Sequence, residues 1–156
     1  MTNYERRVAI IGVGRMGVRH IEIARRFGLA IVGIADKSEE ALRAATTSNS
    51  LSEAIEYLDS GLMLEKTSPE FVVISTTAPS HAELVLAAVK AGAKYILCEK
   101  PMACSLDEAE TMIIACREAG VKLAVNHQMR FMEQYVTVKN MIESVAMGPL
   151  CSIIVS

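Results

Sequence analysis

Three groups of residues in this chain have the types and spacing for chemistry. The first is Gly12-Val13-Gly14-Arg15-Met16-Gly17, a G-x-G-x-x-G turn placed directly after the apolar run Arg7–Ile11. Gly12 permits a tight turn, Gly14 lets backbone touch a pyrophosphate, and Gly17 lets the following helix pack closely on the strand. A helix opening at about Arg15 would aim its free N–H groups and positive dipole end at such an anion. The second is Asp36, at the end of the next apolar run and 24 residues after Gly12, close to where an acid meets an adenosine ribose 2′-OH. An acid there repels a 2′-phosphate and so favours NAD; Lys37 beside it partly offsets this and leaves NADP open. The third is Lys100, between Glu99 and Pro101. Proline disfavours helix at the residue before it, which holds the ammonium at the carboxyl edge of a strand. A cation there polarises a neighbouring hydroxyl and hydrogen-bonds a developing oxyanion; taken alone, Lys100 is as readily a solvated loop lysine.

These groups need a scaffold that brings distant strand ends together, and the pattern of the chain supplies one. Arg7–Ile11, Ala30–Ala35, Phe71–Ser75, Tyr95–Cys98 and Leu123–Val125 read as short buried strands, and Ile55–Leu58 as a third strand in chain order. Helices fall between them. Arg15–Phe27 carries Gly17, Ile21, Ala24 and Gly28 on one face. Ser38 to about Ala54 is mostly helical, with Thr46–Ser50 weak helix material suited to a loop. Asp59-Ser60 looks like a cap for Gly61–Lys66. Ser80 with Glu83 and Ser105 with Glu108 have capping-box spacing, and Gly92 and Gly120 close the helices that follow. Strands alternating with helices predict an α/β, doubly wound, mostly parallel sheet with strand order 3-2-1-4-5-6 and a truncated start of a second domain. Residues 1–130 form the dinucleotide-binding domain, and 131–156 a linking helix (Met132 to about Val145) and a strand (Leu150–Ser156) whose partner lies elsewhere.

In that order the ligand sits over the carboxyl ends of strands 1 and 4. Thr76, Thr77 and Pro79 then line the cofactor groove beside the glycine turn, and His81 starts a helix as a hydrogen-bonder rather than a catalyst. Asn126 is placed to contact a carboxamide or ribose. His127 and Arg130 divide evenly between the substrate site and structural pairing. Cys98, ending a buried strand, reads as an inert small hydrophobe.

Composition narrows the classes. A net charge of −2 and a pI near 5.9 give no electrostatic case for nucleic acid or an anionic membrane. The four cysteines show no C-x-x-C pair or metal-ligand spacing, which points to a reduced, cytoplasmic chain without a bound metal. Gly12 and Gly14 fall where a signal peptide would be apolar, and no apolar run approaches about 18 residues, so no membrane partner is expected.

The motifs together resemble the N-terminal half of the Gfo/Idh/MocA oxidoreductases. The matching pieces are the strand with Gly12–Gly17, Asp36, and Phe71–Thr76 leading to Pro79 and His81. Ala91-Gly92 before a strand, Glu99-Lys100-Pro101, the segment from Asn126 to Phe131, and Gly148-Pro149-Leu150 complete the series. Glu-Lys-Pro at this distance from a T-x-P-x-x-H stretch is far more specific than the glycine fingerprint. The resemblance implies NAD(P) binding and hydride transfer to or from a sugar, polyol or similar C–OH/C=O carbon. It also implies a place for Lys100, as the catalytic lysine, beside nicotinamide and substrate. Glu99 then orients Lys100 or contacts cofactor, with Pro101 completing the motif. The family's substrate domain, with its histidine partner to the lysine and the sheet through which members form homo-oligomers, is absent from these residues. The expectation is cofactor binding without efficient turnover. Glu70 and Phe131-Met132 depart mildly from the family pattern. Two rivals remain: a non-enzymatic nucleotide-binding or redox-sensing module, and a dihydrodipicolinate-reductase-like Rossmann domain that leaves Glu-Lys-Pro unexplained.

Overall fold

Branched apolar residues become strands where both faces are covered, and the side-chain alternation of β1 (Arg7–Ile11) shows how this chain covers them. Val8 and Ile10 point to one core, Ala9 and Ile11 to another. The computed structural model describes residues 6–51, 56–144, 148–149 and 152. Beside β1 lie β2 (Ala30–Ala35) and β4 (Phe71–Ile74). The sheet is completed by β3 (Glu56–Tyr57), β5 (Tyr95–Cys98) and β6 (Lys122–Val125), all parallel, in the order β3-β2-β1-β4-β5-β6. The predicted strand order is the observed one.

Helices α1 (Arg15–Arg26) and α2 (Glu39–Asn49) contribute Ile21, Ala24, Leu42 and Ala45 to the core that receives Val8, Ile10, Ile34 and Val73. Helices α3 (Ser60–Thr67), α4 (His81–Lys90) and α5 (Leu106–Glu118) supply Met63, Leu64, Val85, Ala88, Met112 and Cys116 to the other, with Val72, Ile74, Ile96 and Cys98. Apolar residues at helical spacing therefore cover both faces of the sheet, the doubly wound arrangement.

Several boundaries follow their caps. Ser38, Asp59 and Ser105 each accept a backbone N–H at the start of α2, α3 and α5. Two expectations are corrected. Ser80 does not form a capping box: a 3-10 turn at Ala78–Ser80 leaves it in a helical conformation, and its hydroxyl bonds back to Thr76 Oγ1 and the Thr77 carbonyl. Thr46–Asn49 are helical rather than loop. The Asn49 amide donates to the Ala45 carbonyl, and α2 ends only at Ser50, with φ 50°.

The chain gathers into two compact units, Met1–Asn126 and His127–Ser156. The second contains a 3-10 turn (Gln128–Phe131) and α6 (Glu133–Glu143), whose residues are all exposed. The predicted strand Leu150–Ser156 lies, but for Ser152, outside the described residues. Among the described residues no helix is long and apolar enough to cross a membrane.

Candidate functional site

Strand register builds the site. Ile11 is level with Ala35 and Ile74, Ile74 with Cys98, and Cys98 with Val125. The residues one step further on, Gly12, Asp36, Ser75, Glu99 and Asn126, consequently form a row along the carboxyl edge. Backbone bonds of 2.7–2.9 Å carry the ladder through that row, from Gly12 N to Ala35 O, Ser75 N to Ile11 O, Glu99 N to Ile74 O and Asn126 N to Cys98 O.

The three glycines of the turn are glycine for different reasons. Gly12 has φ +85°, and a Cβ there would stand 2.8 Å from the Ser75 and Thr76 backbone. A Cβ on Gly17 would lie 1.9 Å from the Gly12 carbonyl oxygen, so α1 approaches the strand only without one. Gly14 differs from both: its φ is −66°, and among the described residues a Cβ would meet nothing within 4 Å. Neither conformation nor internal packing requires glycine at 14. It faces open space at the start of α1, whose first turn carries no side-chain cap and no acid. Free N–H groups, the positive end of the helix dipole and bare backbone therefore converge where a diphosphate would sit. Arg15 is exposed and Met16 half-buried beside this opening.

The turn is braced from two sides. Asp36 accepts the Val13 N–H through Oδ2 at 2.9 Å and the Ser38 N–H through Oδ1 at 3.0 Å. Each oxygen retains acceptor capacity for a ribose hydroxyl. Lys37 next to it is exposed. Ser75 donates its hydroxyl to the Gly12 carbonyl at 2.7 Å, a contact that sequence reasoning missed.

Glu99 is the buried hub of the row, 5% exposed. Its Oε1 accepts from His20 Nε2 at 2.8 Å and from Asn126 Nδ2 at 2.6 Å, and its Oε2 from the Lys100 backbone N–H at 3.3 Å. Burial works to raise this carboxyl. The hydrogen bonds from Asn126 and His20, the charge of His20 and the Lys100 N–H outweigh it, leaving Glu99 below the usual carboxylate range. Glu99 thus touches Lys100 through the backbone rather than the ammonium. The Lys100 side chain is exposed, and among the described residues its ammonium has no ion-pair partner. Cys98 behind the row is buried, and desolvation, then the charge of Glu99, pushes its thiol up to about 12, which disfavours the reactive thiolate.

Thr76 is half-buried, Thr77 and Pro79 are exposed after β4, and Pro101 is exposed beyond Lys100. His81 is fully buried, with Nδ1 2.9 Å from the Pro101 carbonyl and Nε2 3.1 Å from that of Thr76, so it joins two of these loops from within. His127 and Arg130 belong to the second unit and are exposed. His20 was not singled out from sequence. Its place three residues after Gly17, on the apolar stripe of α1, was the available signal.

Comparison with known proteins agrees with this architecture. The model of the Gfo/Idh/MocA group, described as an oxidoreductase family with an NAD-binding Rossmann fold, matches residues 6–127. The D-apiose dehydrogenase of Paraburkholderia graminis is 37% identical over 141 residues, covering 90% of this chain and 37% of that protein. An oxidoreductase from Agrobacterium radiobacter, solved with NAD+, L-tartaric acid and magnesium, superimposes with a TM-score of 0.84 at 29% identity, over 92% of this chain and 42% of that one. The WlbA dehydrogenase of Bordetella pertussis, solved with NADH and UDP-GlcNAcA, gives a TM-score of 0.80 at 30% identity, over 89% and 42%. The chain therefore spans less than half the length of these relatives.

Proposed function

The chain belongs to the Gfo/Idh/MocA family of NAD-binding oxidoreductases, and from that premise we propose that its first unit holds NAD for hydride transfer to or from a sugar- or polyol-like carbon. The substrate-binding half comes from further sequence such as the relatives possess, with residues 131–156 leading into it. The observation that carries the proposal is the open space over Gly14 at an uncapped helix start, in line with Asp36 and Lys100 on one sheet edge.

Each residue has a role its surroundings fit. Gly14 and the first N–H groups of α1 receive the diphosphate, with Arg15 and Met16 flanking it. Asp36, already fixed by two backbone donors, offers its remaining lone pairs to the ribose and disfavours a 2′-phosphate. Thr76, Thr77 and Pro79 wall the groove. Asn126 has its amide N–H committed to Glu99, which leaves its oxygen to accept from a carboxamide or hydroxyl. The bound nicotinamide supplies or accepts the hydride. Lys100, exposed and without an ion-pair partner among the described residues, hydrogen-bonds the substrate oxygen and stabilises the charge that develops on it. Glu99 is buried and engaged on both oxygens, so it orients rather than removes protons. Taken alone, these residues bind cofactor without efficient turnover, since the relatives they match are more than twice as long.

Fluorescence titration with NADH and NADPH tests this. NADH binds more tightly, and Asp36→Asn, which keeps a side-chain acceptor but removes the charge, narrows the preference. Absence of binding by either cofactor refutes the proposal; an unchanged preference in Asp36→Asn refutes the role given to Asp36.

A further inference from the structure

The one buried carboxylate–imidazole contact among the described residues joins two parts of the chain that the proposed chemistry uses separately. His20 lies on α1, the helix whose start would receive the diphosphate, and Glu99 immediately precedes Lys100. Both are buried, at 6% and 5% exposure. A satisfied core histidine would need only an acceptor. This acceptor is also bonded to the Lys100 backbone N–H and the Asn126 amide, so three segments of the carboxyl edge meet on one carboxylate. Since the ionised carboxylate can only accept, His20 must present its proton on Nε2.

We infer that His20 is a positioning residue which, through Glu99, ties the backbone of Lys100 to the cofactor-receiving helix, so that cofactor bound at the glycine turn orders the lysine loop. This rests on the cofactor role proposed above. The physical basis is rigidity: α1 is one rigid element of 12 residues, and an anion seated on its first turn restrains the residues behind that turn. The 2.8 Å bond at His20 passes that restraint to Glu99, and the carboxylate passes it to the Lys100 N–H. Without the imidazole donor, Glu99 is free to turn, and α1 and the lysine loop respond independently.

Amide hydrogen exchange on this chain, with and without saturating NADH, reads the coupling directly. In the wild type, NADH slows exchange of the Lys100 amide by about tenfold, the scale of one well-made hydrogen bond. In His20→Leu, which fills the space without a donor, the slowing at Lys100 falls below about threefold while protection at the start of α1 persists. His20→Gln, whose side-chain amide can again donate to Glu99, restores most of it. A merely structural role for His20 would lower thermal stability and leave the NADH-dependent change at Lys100 intact. Full slowing at Lys100 in folded His20→Leu therefore overturns the inference, as does failure of His20→Gln to recover what His20→Leu loses. If circular dichroism shows His20→Leu unfolded, His20→Met, which also lacks a donor but leaves the Glu99 bond to the Lys100 N–H in place, is read instead: lost slowing supports the coupling and retained slowing overturns it. If the wild type binds no NADH, the cofactor role fails separately. Lys100 exchange in the free proteins then decides, faster in His20→Leu supporting the tie and equal rates overturning it.

Discussion

Replacing Gly14 by alanine separates a glycine kept for a ligand from glycines kept for the fold. At φ −66° and ψ −167° alanine is conformationally permitted, and among the described residues its methyl meets nothing within 4 Å beyond its own chain neighbours. Gly14 is the N-cap of α1, where alanine is poorer than glycine by up to about 1 kcal/mol. The reduced freedom of the unfolded chain returns roughly 0.4–1 kcal/mol. The net change in stability is then under about 1 kcal/mol, or at most about 2–4 °C in Tm for a chain of this size. The methyl instead projects into the volume assigned to the diphosphate. Overpacking against a group that cannot move away costs about 1–3 kcal/mol, which is roughly 5- to 150-fold in Kd. Gly17→Ala is the counterpart: its methyl would stand 1.9 Å from the Gly12 carbonyl oxygen, so α1 must shift off the sheet. That variant loses at least about 2 kcal/mol of stability. Thermal melts of both variants, paired with NADH fluorescence titrations, give the comparison. A Gly14→Ala protein that binds NADH as the wild type does, or that melts as early as Gly17→Ala, refutes the reasoning.

Other predictions follow from the same row of residues. Glu99 sits below its ordinary carboxyl value of 4.5 in the fold, so its stabilisation is complete above that pH and drains away as the pH falls through the lower, folded value. The Tm difference between wild type and Glu99→Gln is accordingly largest at neutral pH and shrinks in acid; a difference independent of pH contradicts this. His81→Leu removes the buried imidazole set between the Thr76 and Pro101 carbonyls, at a cost of about 1–3 kcal/mol, visible in denaturant midpoints; an unchanged midpoint rejects the bracing role. Native alkylation followed by peptide mass mapping should modify exposed Cys104 well before Cys98 and Cys116, whose thiols burial pushes up; early labelling of Cys98 would show the strand end to be open.

What could be read from sequence was local, and what could not was tertiary. The Gly12–Gly17 turn, Asp36 and the strand order depend on short patterns and on a connection rule, and all are visible along the chain. The bond from His20 to Glu99 crosses 79 residues and has no local mark beyond a histidine on an apolar stripe. The Ser75 hydroxyl on Gly12 spans 63 residues and looks, in sequence, like the end of any strand. The expected capping box at Ser80 fails for a nearer reason. The 3-10 turn at Ala78–Ser80 rotates the hydroxyl toward Thr76, something the spacing to Glu83 does not register.

The two braces on the glycine turn, Asp36 on the Val13 N–H and Ser75 on the Gly12 carbonyl, hold its shape in the absence of any guest. An arriving dinucleotide would then meet a glycine turn already set, and little of its association energy would go into arranging that turn. Capture should accordingly proceed in a single kinetic phase, with differences among nucleotides expressed in how long each one stays.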